Sequence, residues 1–330
     1  MEQRYALHEI YHQEIPQFIR KMSGTPSMQR LAHIGMNCGC EYTGFHLFRN
    51  IGRYSRLDHS IGAGLIVWHF TENLQQSAAA LLHDIATPSF AHVVDFLHCD
   101  HEKQESTEDR TLEFISNDSL LVGILEGYGL KAEDVADYHR FPIADNDTPQ
   151  LSSDRLEYTC GNVLNYGFAD IVTIRDLFSN LEAGRNERGL PEIVFTDPVK
   201  ASLFARLSLQ CSKVYVCDAD RFAMQRLAEI LAEAIHCGIL SEQELYLPEE
   251  AVIEKIESNS RTAEQWRRFK SYRETVKGSD SAEARTIKAK KRRIDPFVPG
   301  KGRVTEFDAG YRASLQEFLD YSFDYPVYAV

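Results

Sequence analysis

The sequence predicts an all-α protein with a helical core, a helical C-terminal extension and one minor β-hairpin. Three observations carry that expectation. Most of the chain repeats apolar residues at helical spacing. Strand signals are confined to one stretch. The 330 residues are 43% hydrophobic and 26% charged, enough to bury a sizeable core without disulfide staples.

The elements follow in chain order. His59 to Thr71 has a Gly- and Ala-rich apolar face with Ile61, Leu65 and Trp68 at helical spacing. Ser77 to Ile85 is a compact run of strong helix formers. His101 to Ile115 reads as a charged helix. Thr148-Pro149 followed by Ser152-Ser153-Asp154 marks entry into a helix from Arg155 to Leu164. Leu181 to Phe195 reads as a hairpin turning at Asn186 to Gly189. Asp218 to Gly238 is an amphipathic helix closed by its glycine. Gly278 to Arg303 is poor in large apolar residues and carries Arg285, Lys288, Lys290, Lys291, Arg292, Arg293, Lys301 and Arg303. It reads as a linker or surface arm, either a solvated face or a contact for phosphate or a second subunit. No internal repeat is visible. The organisation expected is an N-terminal segment (1–24), a catalytic core (25–180), a hairpin with helical extension (181–277), and a basic arm with a C-terminal helix (278–330).

The net charge is −13, which argues against general nucleic-acid binding because the whole-protein field repels phosphates. A small anionic substrate in a local basic pocket stays open. No apolar run is long enough to cross a bilayer. The N-terminus carries charges and Pro16 where a signal peptide needs an apolar stretch, so a cytoplasmic location is expected. Seven cysteines, an odd and scattered set, make no disulfide framework. Cys38-Gly39-Cys40 lacks the second Cys/His pair that a zinc ribbon needs.

The chemistry lies in Arg56-Leu-Asp-His59, Leu82-His83-Asp84-Ile85 and Asp154. Pro88 disfavours helix before it, which puts His83 and Asp84 in the last turn of their helix. Neighbouring side chains on a helix point about 100° apart, so both reach one ion only if it lies beside the helix. Two more ligands must come from other helices, and His59 and Asp154, each at a helix start, are the candidates. Two imidazoles and two carboxylates suit iron, manganese, zinc, cobalt or nickel better than calcium. Magnesium accompanying a nucleotide is the one further cofactor this reading admits.

These residues resemble the H…HD…D pattern of the HD-domain metal-dependent phosphohydrolases. Thr25-Pro-Ser-Met-Gln-Arg-Leu31, Arg56 to Gly62, His83 to Asp95 with Phe90-Ala91-His92, His101-Glu102, and Asp154-Arg-Leu-Glu-Tyr158 look like successive motifs of the deoxynucleoside triphosphate triphosphohydrolase branch. The resemblance implies an HD-type helical core and metal ligation by His59, His83, Asp84 and Asp154. It implies phosphate contact by Arg56, phosphate and sugar contact by Arg155 and Tyr158, and His92 and Asp95 pointing into the same cleft. His101 would help with proton transfer or phosphate binding. His69, His98 and His139 read as structural or surface residues.

Three positions depart from that branch. Thr87 stands where a second His is usual, Met36 where a Gln touches the deoxyribose, and Asn162 where an Asp contacts the sugar. Sugar recognition is therefore altered while the metal site is kept. The function expected is metal-dependent hydrolysis of a nucleotide or related phosphate ester or anhydride. The alternatives are a nucleoside monophosphate phosphatase, a hydrolase of another phosphorylated metabolite, and a non-catalytic regulatory or scaffold protein that keeps the metal site. Related enzymes assemble as oligomers, so a homo-oligomer is expected, with no membrane partner.

Overall fold

The structure, a computed structural model, describes residues 2–49, 51–97 and 110–330. His98, Cys99 and His101 lie outside the described residues. The chain is mainly helical. Three helices, α1 (Glu2–Tyr11), α2 (Gln17–Ser23) and α3 (Pro26–Arg30), lead into α4 (Arg56–Thr71), α5 (Leu74–Leu82) and the short α6 (Val93–Leu97). Then come α7 (Thr111–Asn117), α8 (Ser119–Gly127), α9 (Ala132–Val135), α10 (Ser153–Asn165) and α11 (Ile171–Phe178). The hairpin β1 (Leu181–Arg185) and β2 (Pro191–Phe195) precedes α12 (Pro198–Val214), α13 (Asp218–His236), α14 (Glu249–Glu257) and α15 (Ser260–Ser271). The chain ends with β3 (Thr275–Lys277), β4 (Arg285–Thr286), β5 (Phe297–Val298), β6 (Gly302–Arg303), α16 (Val304–Phe307), α17 (Ala309–Asp320) and β7 (Pro326–Ala329).

The helix starts that carry the site are fixed by local capping. A capping box opens α4: the Asp58 N–H donates to Ser55 Oγ at 3.2 Å, and the Ser55 N–H donates to the Asp58 carboxylate at 3.0 Å. His59 therefore sits in the first turn. Ser152 caps α10 by accepting from the Arg155 N–H at 3.3 Å. Helix α5 stops at Leu82, earlier than the sequence predicts, because residues 83–86 turn ahead of Pro88. His83 becomes the C-cap and Asp84 lies just past it. The small residues of α4 let two helices approach it closely: Ser77 Oγ of α5 donates to the Gly64 carbonyl at 2.7 Å and Ser153 Oγ of α10 to the Ala63 carbonyl at 3.2 Å.

Two apolar cores flank the site. The larger joins α1–α5, α8 and α10–α12 through residues such as Leu65, Leu81, Leu156 and Phe204. The smaller joins the Cys38–Phe48 segment, α6, α13–α15 and β7 through Phe90, Phe222, Leu231, Trp266 and Val327. Tyr166, Phe168 and Tyr215 pack against both. No described helix is long and apolar enough to cross a membrane. The six described cysteines are free, and Cys38, Cys40, Cys160 and Cys211 are buried.

The hairpin forms as the sequence predicts, with Leu181 opposite Phe195 and Arg185 opposite Pro191. Two more small antiparallel sheets exist: β7 lies between β3 and β4, and β5 pairs with β6. Strands of two to four residues leave no readable alternation, so the single expected hairpin understates the β content. The basic segment also differs from a linker or surface arm. It runs extended across the molecule and is pinned at intervals. Arg221 donates to the Ile287 carbonyl, Thr148 Oγ1 to the Arg293 carbonyl at 2.9 Å, and Tyr311 OH to the Ile294 carbonyl at 2.5 Å. Lys291 Nζ donates to the Leu319 and Tyr321 carbonyls, each at 2.5 Å. Carbonyl groups of an extended chain must find partners when covered, and side chains of distant helices supply them.

Candidate active site

A cavity of about 460 Å³ lies where the two cores meet, a volume typical of small-molecule sites. Helix α10 forms one wall. Asp154, Tyr158, Asn162 and Tyr166 recur every fourth residue and all line the cavity, as side chains on one helical face do. A rise of about 1.5 Å per residue separates Asp154 from Asn162 by about 12 Å along the axis. The cavity therefore has two ends, one at each end of α10.

At the first end three ligand atoms converge. His59 Nε2 is 3.2 Å from His83 Nε2 and 3.1 Å from Asp154 Oδ1, and His83 Nε2 is 3.5 Å from Asp154 Oδ1. The fourth expected ligand, Asp84, has Oδ2 at 3.8 Å from both Nε2 atoms. Arg56 Nη1 donates to that oxygen at 2.9 Å, and Thr87 Oγ1 donates to Asp84 Oδ1 at 3.0 Å. Thr87 thus holds Asp84 from the position where the resembled branch has a His.

The donor chemistry fits a divalent cation. His83 Nδ1 faces the Ala80 carbonyl at 2.7 Å and can only donate there, so in the neutral ring Nε2 carries the lone pair. His59 Nδ1 is 2.5 Å from the Glu157 carboxylate, which likewise leaves the Nε2 lone pair facing the centre. Two such lone pairs and a carboxylate oxygen this close favour a positive charge among them, either a ring proton or a cation. Burial opposes a charged His59 ring, but the Asp154 and Glu157 carboxylates overcome it and push its pKa up to about 10. Burial would raise the Asp154 carboxyl, yet His59 and His83 hold it well below its usual value. Burial likewise opposes ionised Asp84, and Arg56 with the two histidines overcomes that and lowers its pKa. The field that draws a proton here would draw a divalent cation.

Glu157 is not among the residues the sequence singles out, although it lies one turn beyond Asp154 on the same face. It is 1% exposed and also accepts a hydrogen bond from Tyr54 OH. Two glycines make room for this relay. A Cβ on Gly62 would come within 2.6 Å of Glu157, and one on Gly161 within 2.3 Å of the Tyr54 ring. Tyr54 and Glu157 hold the His59 ring rather than face the cavity.

The remaining sequence-predicted residues are spread around the cleft. Arg56, His92, Arg155 and Tyr158 line the cavity. Asp95 is 0% exposed and does not. The sequence reading puts it in the cleft, but it stands behind His92, with Oδ2 2.9 Å from Nδ1. His92 Nε2 is 3.5 Å from Arg292 Nη2. Burial chiefly, then Arg292, lowers the His92 pKa, while Asp95 partly restores it. Arg155 Nη1 reaches Asn146 Oδ1 at 2.8 Å and Asp145 Oδ1 at 3.1 Å. His139, read from sequence as structural or surface, lines the cavity rim and meets Asp145 Oδ2 at 2.8 Å. His69 fits that reading, packed against Phe70 and Phe178. Lys290 and Arg292 of the basic segment also line the cavity, an arrangement the sequence does not show.

Met36 and Asn162, which stand where the resembled branch contacts the sugar, line the cavity as well. Asn162 Nδ2 donates to Tyr215 OH at 2.8 Å.

No known family profile matches the chain. It is 25% identical over 249 residues to the metal-dependent phosphohydrolase cns2 of Cordyceps militaris, covering 72% of this chain and 68% of that one. It is 23% identical over 205 residues to the uncharacterized protein YdhJ of Bacillus subtilis, covering 62% of this chain and 60% of YdhJ. The match thus spans less than two thirds of the Bacillus protein. Among solved structures, a hypothetical protein from Aquifex aeolicus shares the fold with a TM-score of 0.57 at 19% identity, over 80% of this chain and 75% of the other. The chain is therefore similar to a metal-dependent phosphohydrolase, and its His59, His83 and Asp154 form a cluster able to hold a divalent metal.

Proposed function

We infer that the protein is an HD-type metal-dependent phosphohydrolase acting on a nucleotide or a related phosphate ester or anhydride. The observation that carries this reading is the convergence of His59 Nε2, His83 Nε2 and Asp154 Oδ1 at one end of a cavity also lined by Arg56, Arg155 and Arg292. The resemblance to the fungal phosphohydrolase supports the reaction class. His59, His83 and Asp154, with Asp84, would hold a divalent cation, which would supply Lewis-acid charge at this end of the cavity.

The chain's own groups do the rest. Arg56 holds Asp84 and brings positive charge beside the phosphate position. His92 is neutral when no substrate is bound, because burial lowers its pKa. Its Nδ1–H is held by Asp95, so Nε2 is the atom that takes or gives a proton at the cleft. His101 is the other candidate for that proton and lies outside the described residues. Arg155 and Tyr158 line the path from phosphate to sugar.

Met36 cannot make the sugar hydrogen bonds of a Gln, and Asn162 lacks the charge of an Asp. A site without a dedicated partner for one hydroxyl discriminates weakly, so ribo- and deoxyribonucleotides are both candidate substrates, monophosphates included. The basic run that motivated an expected subunit contact is engaged within the chain, so assembly into a homo-oligomer rests on the family resemblance alone. The test is turnover of matched ATP/dATP and GTP/dGTP pairs and the monophosphates, with manganese, iron, zinc, cobalt or nickel. Release of phosphate, pyrophosphate or triphosphate identifies the bond. Absence of hydrolysis with every metal refutes the reading.

A further inference from the structure

Directly before His92 the backbone takes a conformation that its residue types disfavour. Phe90 and Ala91 are both left-handed, with φ of 60° and 47°. That region brings the Cβ of an L residue too close to the following carbonyl oxygen, and two such residues in succession are costly. They persist only where the surroundings over-determine them. Here one distant segment does so. The Ser89 N–H donates to the Leu245 carbonyl at 2.7 Å, Ser89 Oγ donates to the Leu247 carbonyl, and the Phe90 N–H donates to Glu249 Oε1 at 3.3 Å. The Phe90 ring is 0% exposed and packs edge-on against Tyr42, with centroids 6.1 Å apart.

Glu249 stands at the first position of α14, buried, and does not line the cavity. The Oε1 that holds Phe90 also accepts from the Gly35 N–H at 3.0 Å, and Oε2 accepts from Tyr42 OH at 2.8 Å. A buried carboxyl is costly unless its hydrogen bonds are used. These run to two loops that enter the cavity: Gly35 precedes Met36 and Asn37, and Phe90 stands two residues before His92. Asp95, 2.9 Å from His92 Nδ1, fixes how that ring is turned. It does not fix where the backbone that carries both residues stands. We propose that Glu249 is a positioning residue for the proton transfer assigned to His92: it clamps the left-handed Phe90–Ala91 turn and so sets where the His92 ring stands in the cavity.

The proposal rests on the His92 role given above, and the experiment separates the two. Glu249→Ala should keep its metal and its KM and lose about 10²-fold in kcat, the effect of a misplacement of about 1 Å. Glu249→Gln should restore most of that loss, because its carbonyl accepts from both N–H groups and its amide donates to Tyr42 OH. On a His92→Ala background, Glu249→Ala should slow turnover no further, since residues that act through one group are not additive. A brace for the smaller core alone would slow both backgrounds alike. A second readout needs no turnover. The His92 ring is followed by NMR against pH, as the signal missing from His92→Ala. Burial chiefly, then Arg292 and Arg56, lowers its pKa, while Asp95 partly restores it. Released from the clamp in Glu249→Ala, the ring should titrate nearer its ordinary 6.5. Should that chain not fold, Glu249→Asp keeps the carboxyl, withdraws it by one methylene and should show the same changes. An unchanged His92 signal in the folded variants, or equal losses on both backgrounds, overturns the proposal. A shifted signal without loss of turnover overturns the His92 role and keeps the clamp. If no form hydrolyses any phosphate ester, the reading above fails, and the His92 signal by itself supports or overturns the clamp.

Discussion

The two ends of the cavity are built in opposite ways. At the metal end three of the four donors have a partner behind or beside them: Glu157 behind His59, the Ala80 carbonyl behind His83, Arg56 and Thr87 beside Asp84. Each ring is held through its Nδ1, which turns both Nε2 atoms toward the centre. At the other end Asn37, Asn162 and Asp220 are buried yet only partly satisfied. A cluster whose donors are held from behind is preorganised for one ion. A partly satisfied one gains its missing hydrogen bonds from a ligand. The first end is therefore suited to holding an ion and the second to taking up a hydrogen-bonding ligand.

The sharpest way to break that contrast is to remove a ligand. Asp84→Ala should cost both metal and turnover, leaving activity at background. The protein should otherwise carry about one transition metal per chain, since the donors surround one point. Elemental analysis beside turnover checks this. Full metal content with full activity in the variant removes Asp84 from the site.

The next largest effect concerns His92. Its Ala variant should keep the metal and lose about 10²–10⁴-fold in turnover if Nε2 moves the proton. Asp95→Asn should lose less and shift the pH profile, because Asp95 orients the ring and raises its basicity. An unchanged rate in the His92 variant transfers the role to His101.

Glu157→Gln sharpens the comparison more gently. A Gln carbonyl still accepts from His59 Nδ1–H, but the charge that raises the ring's basicity is gone. Partners of this kind cost about 10–100-fold in metal affinity or activity. Metal titration of the variant reads it directly. Unchanged affinity shows that His59 needs no charged partner.

The contrast between the ends also explains what the sequence made legible. His59, His83, Asp84 and Asp154 stand at helix starts and ends whose caps and proline are visible as short local patterns, and their order is that of a known motif. The helices α4, α10 and α13 were legible for the same reason: their apolar periodicity is local. The second end has no such signal. Asn37, Asn162, Asp220 and Arg292 are far apart in sequence and meet only because two cores pack together. Glu157 had a weak signal, one turn from Asp154, but a buried Glu and a solvated one look alike in sequence. The basic run from Lys288 to Arg293 left two readings open in the sequence, a solvated face or a contact for phosphate or a second subunit, for a related reason. Its charges resemble a solvated arm, and only the pinning carbonyls of Ile287, Arg293 and Ile294 reveal a cavity wall.

The smallest expected effect comes from a buried pair of carboxyl groups, Glu41 and Glu249. Glu249 accepts from the N–H groups of Gly35 and Phe90 at 3.0 and 3.3 Å and from Tyr42 OH at 2.8 Å. Glu41 Oε2 is buried with no partner among the described residues. Burial first, then the neighbouring Glu249, pushes the Glu41 carboxyl up to about 8 from its usual 4.5, and burial raises Glu249 too. The folded chain therefore keeps a proton that the unfolded chain releases near pH 4.5. Between those values the folded state binds more protons, so stability must fall as pH rises. The contribution is complete below about pH 4.5 and gone above about pH 8. One retained proton gives a slope of at most about 1.4 kcal/mol per pH unit. Asp220, raised in the same direction, adds to it. Thermal unfolding should show Tm declining from pH 6 to pH 8.5, and Glu41→Gln, which stays neutral throughout, should flatten that decline. A wild-type Tm that is level across the range, or a variant with the same slope, means the buried pair is already ionised at pH 6.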